Sequence, residues 1–200
     1  MSRDLEQRRR DDVVRAITAV GAAVAVMWVV EVADQLAFNL DQHGIRPRDP
    51  DGLAGILAAP FLHGGFGHLL SNTIPLLVLG AMIALSGLGR VLAVAAVVAL
   101  VGGLGTWVTG PAGTVHIGAS GLVFGFAAYL IARALYSRAL VHLAGAVLVV
   151  AVWGFTLLGG LVPTPGVSWQ GHLFGAIGGL IAARLLHRRD PAPSQRSAYA

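Results

Sequence analysis

The 200-residue chain contains no cysteine and no lysine, and it has neither aspartate nor glutamate between Asp51 and Asp190. The missing cysteine excludes disulfides, thiol nucleophiles and cysteine-ligated metals. The missing carboxylates exclude a triad or a glutamate-based hydrolytic centre built from that long stretch alone. Charge is sparse everywhere: 12% of residues are charged against 56% hydrophobic, with a mean hydropathy of +0.73. That balance suits a chain whose main solvent is lipid, where a helix needs roughly 20 apolar residues to cross the hydrocarbon layer. Glycine is abundant, with 27 residues; in lipid, such small residues let helices approach closely.

The 14 basic residues are all arginine, and the sequence pI is near 10.6. They gather at the chain ends and in the gaps between apolar runs, a distribution that reads as membrane topology and implies no nucleic-acid partner. Residues 1–12 form a mixed-charge segment containing Arg8, Arg9 and Arg10, followed by an apolar run over 13–33. A basic segment before an apolar run also describes a signal peptide. This run is long, ends around Glu31 and Asp34, and shows no small-residue cleavage site, so it is read as an uncleaved first transmembrane helix.

Residues 39–60, with Pro47, Pro50 and Pro60, are expected to form a loop holding a short surface helix. Further apolar runs occupy 66–86, 91–108, 119–136, 140–161 and 170–187. Residues 188–200 contain two prolines and small polar residues, and read as a disordered tail. The expected architecture is therefore an all-α membrane protein with six transmembrane helices over 13–187. Six spans put both termini on one side. With the termini inside, only Arg46 and Arg48 of the 14 arginines fall outside, which predicts cytoplasmic termini by the positive-inside rule.

In this topology the second, fourth and sixth helices all run inward from the outer face. His68 and Asn72 lie near the start of the second, Ser120 at the start of the fourth and His172 near the start of the sixth. They share one depth in the outer leaflet, where strongly polar side chains are functional candidates. Gly121 and Gly125, with Gly171, Gly175 and Gly179, give the fourth and sixth helices small-xxx-small faces. Close packing of those faces lets the His172 imidazole approach the Ser120 hydroxyl. Serine is a weak nucleophile that needs an adjacent base, and histidine serves near neutral pH. The Ser120 N–H at a helix N-terminus, with donors from His68 and Asn72, can form an oxyanion hole. Glu31 and Asp34, near the outer end of the first helix, remain candidates for a carboxylate third member. Otherwise the pair is a dyad whose histidine is held by ring packing against Phe124.

Each residue has a simpler reading when taken alone. Ser120 suits packing among glycines, His172 a helix cap or the membrane interface, and Asn72 an interhelical hydrogen bond. His63 is either a loop residue at the membrane surface or part of the site. His43, His116, His142 and His187 fall at helix ends or in loops and read as incidental. Four polar residues at one depth are better explained together. A zinc protease would require HExxH, whereas His63 and His68 enclose no glutamate. A three-histidine site from His63, His68 and His172 would leave the GASG sequence unexplained. No metal and no cofactor is expected, and no inverted repeat suggests a transporter.

Three motifs resemble those of the rhomboid intramembrane serine proteases. The stretch PFLHGGFGHLLSN at 60–72 is similar to the family's two histidines followed by asparagine, matched by His63, His68 and Asn72. HIGASG at 116–121 resembles the GxSG nucleophile motif, with Ser120 as nucleophile, Gly118 opening it and Gly121 closing it. GHLFG at 171–175 resembles the histidine motif of the sixth helix, with His172 as base. The resemblance covers about 13–187. It implies hydrolysis of a peptide bond in or beside a substrate's transmembrane helix, without metal or cofactor. It also implies oxyanion roles for His68 and Asn72, and a structural or water-organising role for His63.

The chain departs from the family in three places. Phe124 stands where some members have tyrosine, the 39–60 loop lacks a Trp-Arg pair, and no acid precedes the third helix. The expected partners are transmembrane protein substrates and the lipid bilayer, and the compact loops suit a bacterial plasma membrane. The alternative is a non-proteolytic protein of the same fold that binds membrane proteins; such a protein should have lost the nucleophile or the base.

Overall fold

The computed structural model describes residues 2–187, and the arginines and prolines of 188–200 discussed above lie outside the described residues. Among the described residues the regular structure is helical. Helix α1 is Ser2–Ala33, α2 a single turn at Gly55–Ala58, and α3 is Phe66–Ala84. Then come α4 (Leu88–Thr109), α5 (Ser120–Ser137), α6 (Leu140–Gly159) and α7 (Trp169–His187).

The largest difference from the apolar pattern is at the start. Helix α1 begins 11 residues before the apolar run, at Ser2 rather than residue 13. Residues 2–12 contain no glycine or proline, Asp4 lies in the first turn where it complements the helix dipole, and Glu6 and Arg10 are spaced for a stabilising pair. At its other end α1 passes into a π-helical turn at Asp34–Phe38. It stops at Asn39, whose φ of 50° is left-handed, and the Leu40 N–H donates to the Asp34 carboxylate.

Among the described residues five helices, α1 and α3 to α6, are long and apolar enough to cross a membrane; α7 is not one of them. The six-span expectation therefore meets a helix of matching length whose sequence is diluted by Gln170, His172 and four glycines. Lipid exposure does not set the composition of α7, because it packs between α4 and α5. The opposite case is α6. Val149 is its one buried side chain, and Phe155 is 90% exposed. Such an apolar surface would aggregate in water and is at home in hydrocarbon.

Glycine sets the α5–α7 contact. A Cβ on Gly175 would strike the Gly121 carbonyl, and one on Gly179 the Gly125 carbonyl. On the other side Gly175 faces Gly102 of α4. Without a net hydrophobic drive between helices in lipid, such backbone approach is a main source of packing energy. The core around it is filled by Leu69, Leu79, Ile83, Val94, Val98 and Tyr129. Helix α1 docks on α3, where the Trp28 Nε1–H donates to Thr73 Oγ1 at 3.1 Å.

The 39–60 loop folds onto α4 rather than onto a membrane surface alone. The Arg48 N–H donates to the Trp107 carbonyl at 3.0 Å, and Trp107 Nε1–H donates to the Asp49 carbonyl at 2.8 Å. These bonds anchor a loop that lacks the Trp-Arg pair. The short helix expected there is α2, which buries Gly55 and Ile56 against α4 and leaves Leu57 73% exposed.

Candidate active site

Ser120 is the first residue of α5. The chain reaches it through a fixed approach: His116 pairs with Ile45 by two backbone bonds of 2.9 Å, and the Gly118 N–H donates to the Ala59 carbonyl at 2.8 Å. Gly118 has a φ of 108°, which only glycine adopts readily. A Cβ there would also lie 2.7 Å from the His68 ring and 3.9 Å from Asn72 Nδ2. The glycine thus admits both α3 side chains against the turn before the serine.

The Ser120 hydroxyl lies 2.8 Å from His172 Nε2, and His172 Nδ1 lies 2.7 Å from the Gly160 carbonyl. A carbonyl oxygen can only accept, so Nδ1 carries the proton and Nε2 is left as the acceptor for the serine O–H. The Phe124 ring stacks on the imidazole at 4.1 Å and 6°. His172 is therefore held by a carbonyl at one edge and an aromatic face, while its other nitrogen meets the serine. Neither Glu31 nor Asp34 supplies a third member, because both ring nitrogens are already engaged. That engagement also removes the three-histidine alternative, and among the described residues no group of three or more ligating side chains gathers for a metal ion.

Asn72 is buried and its Nδ2 donates to the His68 carbonyl at 3.0 Å, fixing the amide beside the turn. His63 is fully buried; its Nε2 accepts the Ala119 N–H at 3.4 Å and its ring meets His68 edge-on at 5.1 Å. Burial, and secondarily the neighbouring His68, pushes the His63 pKa down to about 4, so it is neutral at physiological pH. His63 is accordingly an interior residue of the protein, in the loop before α3. Ala119 provides no side-chain cap for α5, which leaves the first amides of that helix available to an anion.

Sequence reasoning missed two features. One is Gly160, because a backbone acceptor has no side-chain signature; only the Gly159-Gly160 pair marks a place where the chain comes close. The other is His116, read as incidental. Its Nδ1 lies 2.6 Å from Ser168 Oγ and its Nε2 3.0 Å from Thr114 Oγ1, while Ser168 Oγ also accepts the Gly171 N–H at 3.3 Å. Burial lowers the His116 pKa. The His116–Ser168 pair ties the turn before Ser120 to the start of α7. Both line a cavity of about 50 Å³ shared with Thr106, Gly118, Ser120 and Gly121. A water needs about 10–15 Å³ measured this way, so a few fit.

A helical membrane bundle with a serine and an oriented histidine in hydrogen-bond contact defines the class of protein. Comparison with known sequences gives the family. The rhomboid domain model matches residues 50–189. An uncharacterized Mycobacterium tuberculosis protein, Rv1337, is 46% identical over 178 residues, covering 84% of this chain and 74% of its own length. An uncharacterized Mycobacterium leprae protein, ML1171, is 46% identical over 173 residues, covering 82% and 68%. YdcA of Bacillus subtilis, provisionally named a rhomboid protease, is 31% identical over 181 residues, covering 84% and 87%. The chain belongs to the rhomboid family, and these relatives are bacterial.

Proposed function

We propose that this rhomboid-family protein is an intramembrane serine endopeptidase that cleaves transmembrane-helix substrates near the outer membrane face. The observation that carries the reading is the 2.8 Å contact between Ser120 Oγ and His172 Nε2, with Nδ1 committed to Gly160. That tautomer accepts the serine proton as the hydroxyl attacks the scissile carbonyl, and returns it to the leaving amine. The developing oxyanion is met by the Ser120 N–H and by donors of His68 and Asn72. Water then hydrolyses the acyl-enzyme, with His172 again as base.

The peptide bonds of a helix are protected by their own hydrogen bonding, so a substrate helix must unwind before attack. Substrates with glycine, proline or serine near their outer end, and a small residue before the cut, fit this requirement. The arginine distribution supports six spans and cytoplasmic termini in a bacterial plasma membrane; in that topology the site lies toward the outer leaflet.

The test is fluorophosphonate labelling of the detergent-purified protein beside Ser120→Ala and His172→Ala. Labelling of the wild type alone supports an activated serine. Equal labelling of wild type and Ser120→Ala sinks the assignment. Wild-type protein that neither labels nor cleaves any transmembrane substrate in liposomes favours a non-proteolytic protein that binds membrane proteins.

A further inference from the structure

At the end of the bundle opposite Ser120 lies a larger cleft, of about 1190 Å³. Its walls come from the first turns of α1, the α3–α4 turn, the last turns of α5 and the start of α6. Four arginines line it: Arg9, Arg10, Arg90 and Arg133. Arg133 is 8% exposed, and its Nη1 donates to Ser86 Oγ at 2.7 Å. Burying a guanidinium at the edge of a membrane helix is expensive, and such residues mark binding or transport sites by default. Arg90 is held in place by a 2.9 Å bond from Nη1 to the Leu186 carbonyl. Two acids, Glu6 and Asp12, also line the cleft. Asp12 already accepts the Leu88 N–H at 3.4 Å at the start of α4, where its charge is matched to the helix dipole. The cleft is positive overall.

The rest of the lining is mainly apolar, including Met82, Leu85, Leu130 and Val141, with Ser86 and His142 as the polar side chains. Helix α6 leans on α5, whereas α1 leans on α3 and α4. The cleft therefore has a basic end beside the charged first turns of α1 and an apolar side among membrane helices. We infer that this cleft binds an anionic phospholipid of the leaflet in which the N-terminal end lies, its phosphate held by Arg9, Arg10, Arg90 and Arg133 and its acyl chains lying along Met82, Leu130 and Val141. A free phosphate would use the arginines but has no need of the apolar walls. The volume exceeds what a single inorganic anion requires and suits a headgroup with the first part of two chains. Basic pockets between membrane helices are a recognised setting for such headgroups.

The experiment is native mass spectrometry of the full chain from detergent, equilibrated with equal amounts of phosphatidylglycerol and phosphatidylcholine of the same acyl chains. Wild type is expected to retain phosphatidylglycerol at least about fivefold over phosphatidylcholine, since each arginine near an anionic headgroup contributes about that factor. Arg9→Gln/Arg10→Gln, both exposed on α1, should lose most of that preference, and Arg184→Gln, outside the cleft, should keep it. Arg133→Gln is a second variant, used only if its thermal unfolding matches wild type. Equal retention of both lipids, an unchanged preference in Arg9→Gln/Arg10→Gln, or displacement by inorganic phosphate at about 10 mM overturns the lipid assignment. None of these readouts depends on proteolysis.

Discussion

The Gly160 carbonyl and the His172 imidazole meet at 2.7 Å on the ring edge away from Ser120. A main-chain acceptor thus sets the tautomer of the proposed base, where a carboxylate would do so in a triad. It orients without adding a second ionisable group, so proteolysis should show one ionisation on its acid limb.

Replacing Gly160 by alanine tests that arrangement. The added Cβ would sit 2.5 Å from the Phe124 ring and 3.0 Å from His172 Nδ1. Fluorophosphonate labelling and substrate turnover should fall by about 10²-fold, the effect of misplacing a catalytic group by about 1 Å. Unchanged turnover would show that His172 keeps its working position when the added Cβ pushes on it, and that the close fit at Gly160 is dispensable.

Asn72→Ala addresses the oxyanion hole. The amide is buried on α3 beside Gly118, next to the nucleophile turn. Loss of one such donor should lower kcat by about 10²–10³-fold, with KM for a transmembrane substrate little changed. A rise in KM at constant kcat would make Asn72 a substrate-binding residue instead.

Two glycine substitutions separate packing from propensity. A Cβ on Gly179 meets the Gly125 carbonyl, while a Cβ on Gly159 meets nothing within 4 Å. Gly179→Ala should therefore destabilise the bundle by about 1–3 kcal/mol, as overpacking does. Gly159→Ala should leave the unfolding midpoint near wild type. Equal midpoints would mean that α5 and α7 can separate without penalty.

Asp41 and His63 give opposite pH slopes. Burial, then the charges of Asp34 and Glu31, raises the Asp41 pKa from 3.8 to about 6. Its contribution to stability is present below 3.8 and is lost as pH rises through 6. His63, lowered from 6.5 to about 4, contributes fully above 6.5 and loses that contribution as pH falls toward 4. Asp41→Asn should raise the unfolding midpoint at neutral pH and change it little near pH 4. It should also make acid destabilisation steeper, because His63 then acts unopposed. A midpoint lowered at neutral pH would contradict the assignment.

What the sequence disclosed depends on where each signal resides. That Ser120, His68, Asn72 and His172 come together was legible because polar side chains are rare in apolar runs, and four of them near the starts of three such runs is a strong pattern. The helices were legible from apolar runs, since lipid imposes length. The start of α1 was not, because helix propensity and charge spacing over 2–12 carry no hydropathy signal. The apolar rule weakens at α7, whose neighbours are helices and not lipid. Gly160 and the His116–Ser168 link were invisible for a third reason: each is a contact between distant segments, and one partner is a carbonyl that every residue carries.

Where Gly175 and Gly179 rest on the carbonyls of Gly121 and Gly125, the spacing between the helix of Ser120 and that of His172 is set by main-chain atoms. Side chains can switch rotamers and so blur an alignment; peptide groups in a helix cannot. The separation of the two helices that carry Ser120 and His172 thus has the tolerance of the backbone, and the side chains have only their own rotamers left to set. A chain drifting through sequence space can repaint its lipid-facing surface freely while this seam admits no substitute.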